Sequence, residues 1–251
     1  MSDAPTARVV SIILNWNGWR HTAACLRSLR HLEGVDHVPL VVDNGSTDAS
    51  VPRLHDEFPG LWLVQTGENL GFGGGVNRGI TAALARGADF LWLLNNDATV
   101  APSSLRALVA ALEERPDAGL AASRIYYADR RDVLWYAGAT YSTPLGYVVH
   151  RGQDEPDHGQ FDRLEEVAFA CGCSALVRRR TVEEIGPMPE EYFLYWEDVA
   201  WGAMAAAAGW KSLYVPQSRV WHEVGASLTS TSGPAERLRH RYEMRNRLLF
   251  H

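Results

Sequence analysis

The chain has 251 residues, of which 46% are hydrophobic and 22% are charged, and its formal net charge is −6. These values are typical of a globular protein that buries a substantial core as one large domain or two small ones. The acidic balance argues against a nucleic-acid partner, because proteins that bind nucleic acid normally carry a basic surplus. A nucleotide ligand stays open, since one diphosphate needs only local positive charge or a metal ion.

The sequence has no uninterrupted apolar run of about 18 residues, so it predicts no membrane-spanning helix. The first residues lack the basic region and long apolar stretch of a secretion signal, which favours a cytoplasmic location. The three cysteines, Cys25, Cys171 and Cys173, include no CxxC pair. We therefore expect free thiols in a reducing compartment, with no zinc site.

The first half of the chain alternates short apolar runs with segments of helical periodicity. The apolar runs are residues 9–14, 38–42, 61–64 and 90–94. Helical spacing follows at residues 19–32, 76–85 and 105–112. Short strands alternating with amphipathic helices predict an α/β fold with a mainly parallel central sheet flanked by helices.

A polar cluster lies after each of these predicted strands. The four clusters are residues 15–18, 43–46, 69–75 and 95–97. Ligands of such sheets bind beyond the carboxyl ends of the strands. We therefore expect the four clusters to converge on one ligand site.

The second half is less regular and predicts a loop or short antiparallel strands at 130–159, a helix at 196–208 and a short strand at 213–215. No repeat or linker is evident, so we expect one domain. Its predicted parts are a front half at about 8–125 that carries the four polar clusters, a back half at about 126–233 and a basic C-terminal helix at 234–251; the resemblance described below implies that the front half binds a donor and the back half shapes the acceptor site.

Two of the polar clusters could serve a nucleotide. Asp43, at a strand end, could accept hydrogen bonds from a base or ribose, although the same segment could be a turn in which Asp48 caps the next helix. The glycine-rich segment 71–79 would let the backbone approach a phosphate, or it could be a flexible turn. It follows the third strand and lacks the spacing of a dinucleotide fingerprint, so it does not favour NAD.

Asp97 follows the fourth apolar run, where a carboxylate suits Mg²⁺ or Mn²⁺ bridging a diphosphate. Such an ion would neutralise charge on a departing diphosphate, although an Asx turn is the simpler alternative. His222 follows a later apolar run and could complete the coordination sphere, but a single histidine is more often structural.

Asp198 lies in the predicted first turn of the helix at 196–208. Acidic residues are common there for electrostatic reasons alone. The same position would keep Asp198 ionised, as a general base must be before it takes a proton from a hydroxyl group. The aromatic residues at 192–196 could stack on a sugar or belong to the core.

Taken in order, seven segments resemble glycosyltransferase family 2, the inverting group with a GT-A fold. They are VSIILNWNG (10–18), VVDNGSTDAS (41–50), ENLGFGGGVNRGI (68–80), LLNNDATVAP (93–102), EEYFLYWEDVAW (190–201), GWxxxYVP (209–216) and VWHEVGAS (220–227). The ordered set is specific although each piece alone is not. Within the family the chain is most similar to rhamnosyltransferase-like and galactofuranosyltransferase-like members, which build bacterial surface polysaccharide.

The resemblance implies that Asp198 is the general base, that Asp97 holds the Mg²⁺ or Mn²⁺ ion and that His222 is a further ligand. The donor-binding positions that it implies are Asn15, Asp43, Asn69, Gly71, Asn77 and Asn95. It also implies a nucleoside-diphosphate sugar donor, with dTDP-rhamnose favoured over UDP-hexoses. The implied acceptor is a glycan or a lipid-linked molecule at the inner face of the membrane.

The chain departs from the family pattern at two places. The metal motif is often Asp-x-Asp, whereas Asn95 stands at its first position here, which bears on metal affinity. The helix after Asp198 is almost entirely small and apolar, where the family often has an arginine, so the acceptor side is unusual.

The segment 234–251 carries five arginines among apolar residues. It predicts a basic amphipathic helix that lies on an anionic membrane or binds a pyrophosphate-linked acceptor. A helix packed on the domain with solvated arginines is the alternative. The pattern of basic and apolar residues continues up to His251, which is compatible with a longer natural protein.

Two other functions stay open at this stage. A sugar-nucleotide pyrophosphorylase also uses a nucleotide-binding α/β domain, but the first loop has no basic residue before Arg20 to bind phosphates. A non-catalytic module that binds nucleotide sugars is supported only by Asn95.

Overall fold

A computed structural model describes residues 8–142, 147–224 and 234–251. The front half contains β1 (Val9–Asn15), α1 (Trp19–Leu29), β2 (His37–Asp43), α2 (Ser50–Glu57), β3 (Trp62–Gln65), α3 (Gly71–Ala85), β4 (Phe90–Asn95), β5 (Ala98–Val100), α4 (Ser104–Glu114) and β6 (Ala118–Tyr127). The back half contains β7 (Leu134–Tyr136), β8 (Ala139–Ser142), β9 (Tyr147–His150), β10 (Glu165–Val167), β11 (Ser174–Arg178), α5 (Arg179–Ile185), a 3-10 helix (Glu190–Tyr192), α6 (Glu197–Ala207), β12 (Lys211–His222) and α7 (Pro234–Phe250).

Ten of these strands form one sheet, in the order β10-β12-β6-β11-β4-β1-β2-β3, with β5 paired to β12 and β7 to β6. The strands β3, β2, β1 and β4 are parallel, as are β6 and β12. The α/β fold with a mainly parallel sheet flanked by helices is therefore confirmed. The sheet is mixed because β11 lies antiparallel between β4 and β6.

The central strands are buried, as their continuous apolar runs predict for a sheet covered on both faces. Helix α3 packs on β1 and β2. This helix begins at Gly71, five residues before the predicted start at Val76, although glycine is a poor helix former. The glycines allow close packing, since a Cβ at Gly75 would lie 2.4 Å from Cδ1 of Leu14 and one at Gly79 2.5 Å from Cγ2 of Ile12.

The back half contains the predicted short antiparallel strands, in that β7 pairs with β6 and β8 with β9. The strand predicted at 213–215 is much longer, because β12 continues past Pro216 to His222. A register irregularity between Val215 and Arg219 lets β12 stay paired with β6 across the interruption. This extension brings His222 to the same end of the sheet as Asp97.

The predicted C-terminal helix is present as α7. Its apolar residues divide between two environments. Phe250 packs against Trp196 and Tyr141, whereas Leu248 is 76% exposed. Within the described ranges, no helix combines the length and the apolar character needed to cross a bilayer.

Candidate functional site

Asn15 and Asp43 end the neighbouring strands β1 and β2 and are partners in the strand register. Asn15 donates from Nδ2 to Asp43 Oδ1 at 2.8 Å and to the Ser46 hydroxyl at 3.1 Å, and its Oδ1 accepts from the Thr22 hydroxyl. Asn15 is 0% exposed. All its polar side-chain atoms are thus used inside the protein, so the side chain orients Asp43.

Asn44 organises the loop of residues 66–70 between β3 and α3, which we call the donor loop because the predicted donor-binding residue Asn69 lies in it. Its Nδ2 donates to Asn69 Oδ1 and to the carbonyl of Gly71, and its Oδ1 accepts from the N–H of Leu70. Asn69 Oδ1 also accepts from the N–H of Gly71. Asn44 was not among the predicted site residues, and the only sequence signal for it was its place directly after Asp43. Asp48 is bonded to the N–H of Ser50, the first residue of α2, which confirms its predicted place at the helix start.

Asn77 was predicted in the donor pocket, but its side chain connects α3 to the segment before the 3-10 helix. Its Nδ2 donates to the Met188 carbonyl and to Glu190 Oε1, both at 2.9 Å, and its Oδ1 accepts from the N–H of Met188. It is 6% exposed. Asn77 therefore joins α3 to the back half of the chain.

Gly71 is the point at which the donor loop meets the segment before α6. Its φ is +75°, and a Cβ there would lie 2.4 Å from the carbonyl oxygen of Phe193. That oxygen accepts from the N–H of Phe72 at 2.6 Å. A larger residue at position 71 would combine backbone strain with a steric clash.

Asp97 and His222 meet at one end of the sheet, because the register of β5 and β12 sets His222 opposite Ala98. Asp97 Oδ1 lies 3.1 Å from His222 Nε2, and both side chains are less than 10% exposed. Asn95 Nδ2 lies 3.3 Å from the same ring nitrogen. Neither Asp97 Oδ1 nor His222 Nδ1 has a hydrogen-bond partner among the described residues, although both atoms are buried.

This pair fits a divalent cation. A buried carboxylate oxygen without a hydrogen-bond donor is costly unless a positive charge satisfies it. Oxygen and imidazole ligands together suit Mn²⁺, and oxygen ligands suit Mg²⁺. No group of three or more His, Cys, Asp or Glu side chains in the described part of the chain could hold a metal ion. Among the described residues the pair thus offers two ligands, and a diphosphate would have to supply others.

Asp198 lies in the first turn of α6 and is partly buried. Its Oδ2 accepts from the N–H of Gly172 at 2.9 Å and its Oδ1 from the N–H of Val199. Burial raises the pKa of Asp198, and these N–H groups oppose the rise. Burial and the charge of Asp198 raise the pKa of the neighbouring Glu197 to about 8. Asp198 accepts two backbone N–H bonds, whereas Glu197 Oε2 has no hydrogen-bond partner in the described structure, so the geometry favours the charge on Asp198 over a charge on Glu197.

The segment 171–173 connects Asp198 to the end of β4. Gly172 donates its N–H to Asp198, and the Cys173 carbonyl accepts from the N–H of Asn95 at 2.9 Å. Burial raises the pKa of the Cys173 thiol well above its usual value, and the charges of both Asp97 and Asp198 add to that rise. This short segment therefore links the start of α6, where Asp198 lies, to the end of β4, which precedes Asp97.

All three cysteines are free and buried, as the sequence predicts. Burial raises the pKa of each thiol far above the ordinary range. They are consequently neutral, apolar parts of the core.

The sequence of the chain matches the family model described as Glycosyl transferase family 2 over residues 11–186. The chain belongs to this family. The predicted membership is confirmed, and it favours a transferase over the pyrophosphorylase alternative.

Two curated proteins from strains of Mycobacterium tuberculosis, both named N-acetylglucosaminyl-diphospho-decaprenol L-rhamnosyltransferase, are among its relatives. Each is 33% identical over 202 residues, which cover 73% of this chain and 65% of the relative. The match thus spans less than two thirds of the length of these relatives. They confirm the predicted resemblance to rhamnosyltransferase-like members.

Solved structures with a similar fold include GalNAc-T7 with UDP, GalNAc and Mn²⁺, with a TM-score of 0.71 at 15% identity over 88% of this chain and 44% of that one. A mannosyltransferase from Pyrobaculum calidifontis in complex with GDP-Man and Mn²⁺ gives a TM-score of 0.68 at 19% identity, covering 97% of this chain and 64% of that one. At these identities the likeness concerns the fold, and it confirms the GT-A type.

Proposed function

We propose that this protein is a metal-dependent, inverting glycosyltransferase that moves a sugar from a nucleoside diphosphate to a hydroxyl group. The observation that carries the proposal is the connection through residues 171–173. This segment bonds to Asp198 at Gly172 and to Asn95 at Cys173, and Asn95 lies beside the buried Asp97–His222 pair. A donor diphosphate held at Asp97 would then present its sugar toward Asp198.

Asp97 and His222 are the proposed ligands of Mg²⁺ or Mn²⁺. The bound ion would neutralise the charge that develops on the departing diphosphate. Support comes from the buried Asp97 Oδ1, which makes no hydrogen bond in the described structure and lies 3.1 Å from His222 Nε2, and from two neighbours of the same fold that were solved with Mn²⁺. Asn95, beside His222, supplies a neutral polar group where many members have a carboxylate.

Asp198 is the proposed general base. It would accept the proton of the acceptor hydroxyl while that oxygen attacks the anomeric carbon on the face opposite the diphosphate, so the configuration inverts. The N–H groups of Gly172 and Val199 hold the carboxylate in one orientation. The protonated Glu197 beside it avoids a second negative charge.

The proposed donor contacts come from Asp43 and the donor loop. Asp43 would bind the nucleoside with Asn15 orienting it, and the backbone near Asn69 and Gly71 would approach the phosphates. Asn77 would act indirectly by fixing α3. We propose one domain, with the donor bound by residues of about 8–125 and the acceptor shaped by about 126–233.

The donor sugar and acceptor are proposed from the relatives. Their name describes transfer of L-rhamnose to N-acetylglucosaminyl-diphospho-decaprenol. We propose dTDP-rhamnose as donor and a diphospho-lipid-linked or glycan acceptor. The protein would act in the cytoplasm at the inner membrane face, with the basic helix α7 touching the membrane.

The test is the substitution Asp198→Asn, assayed for rhamnose transfer from dTDP-rhamnose to an N-acetylglucosaminyl-diphospho-lipid analogue with Mn²⁺. Removing a general base lowers transfer about 10²–10⁴-fold. The affinity for the nucleoside diphosphate should change little, because no donor ligand is altered. Asp56→Asn, on the exposed side of α2, is the matched control.

Retained turnover in Asp198→Asn would refute the base assignment. Transfer that is unaffected by a chelator would refute the metal. A wild-type protein that transfers from UDP-hexoses but not from dTDP-rhamnose would correct the donor and leave the reaction class standing.

A further inference from the structure

The residues that lead into α6 have an unusual backbone. Phe193, Tyr195 and Trp196 all have positive φ, at +62°, +67° and +76°. Bulky residues avoid this conformation, and it persists only where surrounding contacts impose it. We refer to residues 192–198, which end at the proposed base, as the 192–198 turn.

Asn246 of α7 holds this turn from outside. Its side chain is 0% exposed, and Nδ2 donates to the carbonyls of Tyr192, Leu194 and Tyr195 at 2.7–2.8 Å. An amide NH₂ group has two protons, so one of these bonds is shared. The group thus donates to three carbonyls of the irregular turn, of which that of Tyr192 also accepts from the N–H of Leu194.

Arg245 fixes the orientation of the Asn246 amide. Its Nη1 donates to Asn246 Oδ1 at 2.7 Å and to the Glu191 carbonyl at 2.8 Å. The oxygen of the amide therefore faces the guanidinium and the nitrogen faces the turn. Stacking of Tyr242 on Phe193 adds a second contact between α7 and the turn.

The other side of the turn contacts the start of α3, since the Phe193 carbonyl accepts from the N–H of Phe72. The turn is therefore held between α7 and the start of α3, with Asp198 at its end. We propose that Asn246 is a positioning residue that holds the general base in its reactive orientation. This rests on the proposed function, and Asn246 lies outside both the family match and the motifs that suggested it.

The test compares Asn246→Ala and the isosteric Asn246→Asp with Leu248→Ala, an exposed position on the same helix. Transfer kinetics with dTDP-rhamnose and hydrogen exchange of the backbone amides at 193–199 are measured for each. Both Asn246 variants should lower kcat about 10–100-fold. The donor KM should stay within about threefold, because the proposed nucleoside contact, Asp43, lies at the end of β2 and does not touch Asn246. Exchange at 193–199 should accelerate at least tenfold, as in local unfolding. Leu248→Ala should change neither.

Folded Asn246 variants with wild-type kcat and unchanged exchange would overturn the proposal. A loss of similar size in Leu248→Ala would also overturn it, because general loosening of α7 would then suffice. If Asn246→Ala does not fold, Arg245→Met tests the same contact and should give a smaller change in the same direction. If wild type shows no transfer at all, the proposed function fails, whereas the exchange data still decide whether Asn246 holds the turn.

Discussion

The donor edge, formed by the carboxyl ends of β1, β2 and β4, and the 192–198 turn are stabilised in different ways. At the donor edge, parallel register alone sets Asn15 beside Asp43. The 192–198 turn has an unfavourable backbone that contacts from α7 and α3 impose. Ligand-binding groups can thus be carried by regular strands, whereas the proposed base depends on residues about fifty positions away in sequence.

The largest effect should come from replacing Asp97, the proposed metal ligand at the donor edge. Asp97→Ala should lower transfer by about 10²–10³-fold or more, since stabilisation of the leaving diphosphate is lost. It should also abolish the increase in Tm that Mn²⁺ with a nucleoside diphosphate gives to the wild type. Asp48→Asn, an exposed carboxylate near the same edge, should keep that increase. If Asp97→Ala keeps the wild-type increase in Tm with Mn²⁺ and a nucleoside diphosphate, the metal binds elsewhere.

A second prediction tests the packing beneath the donor loop. Gly79→Ala improves helix propensity by about 1 kcal/mol, but its Cβ would meet the Ile12 side chain at 2.5 Å. Overpacking of a rigid core costs about 1–3 kcal/mol, so urea denaturation should give a lower free energy of unfolding. The exposed neighbour Arg78→Ala should stay within about 0.5 kcal/mol of wild type. A more stable Gly79→Ala would mean that α3 can move away from β1.

A third prediction concerns the 192–198 turn and pH. The pKa of Glu197 is raised to about 8, so the folded state keeps a proton that the unfolded state releases above its usual pKa of about 4.5. The free energy of unfolding should therefore fall as pH rises from about 5 to 8. Glu197→Gln cannot ionise and should reduce this fall by roughly 1–3 kcal/mol, measured by denaturation at several pH values. Parallel pH curves for the two proteins would contradict the assignment.

The smallest effect should come from Asn95→Asp, which restores the common Asp-x-Asp pattern. A second carboxylate near His222 should tighten Mn²⁺ binding several-fold in the presence of a nucleoside diphosphate. Without metal the same change should lower Tm, because two carboxylates then repel each other. Titration calorimetry with Asn95→Ala as control measures the first effect. Equal affinity in all three proteins would show that position 95 does not reach the ion.

Much of the donor edge could be predicted from sequence because strand ends are marked by apolar runs followed by polar residues. The direction of an amide side chain is not marked in this way. Asn15 and Asn77 point into the protein, where they hold Asp43 and the segment at Met188, and this depends on neighbours distant in sequence. The extension of β12 to His222 could likewise not be predicted, because Pro216 normally interrupts a strand.

The 192–198 turn could be predicted only as the beginning of a helix with acidic residues. Its left-handed backbone contradicts the local preferences of Phe193, Tyr195 and Trp196. Such a conformation is decided by tertiary contacts, here the Asn246 amide. The basic and apolar residues of 234–251 drew attention to a possible membrane surface and away from Asn246, a buried polar side chain of that helix.

The buried thiols give the protein an internal reporter. Cys171 and Cys173 flank the glycine that holds Asp198, and in the native state they are neutral and shielded. A maleimide reagent should therefore modify them only when the segment 171–173 opens. The rate of labelling, followed by mass spectrometry, would measure how often the proposed catalytic carboxylate loses its anchor, without any substrate in hand.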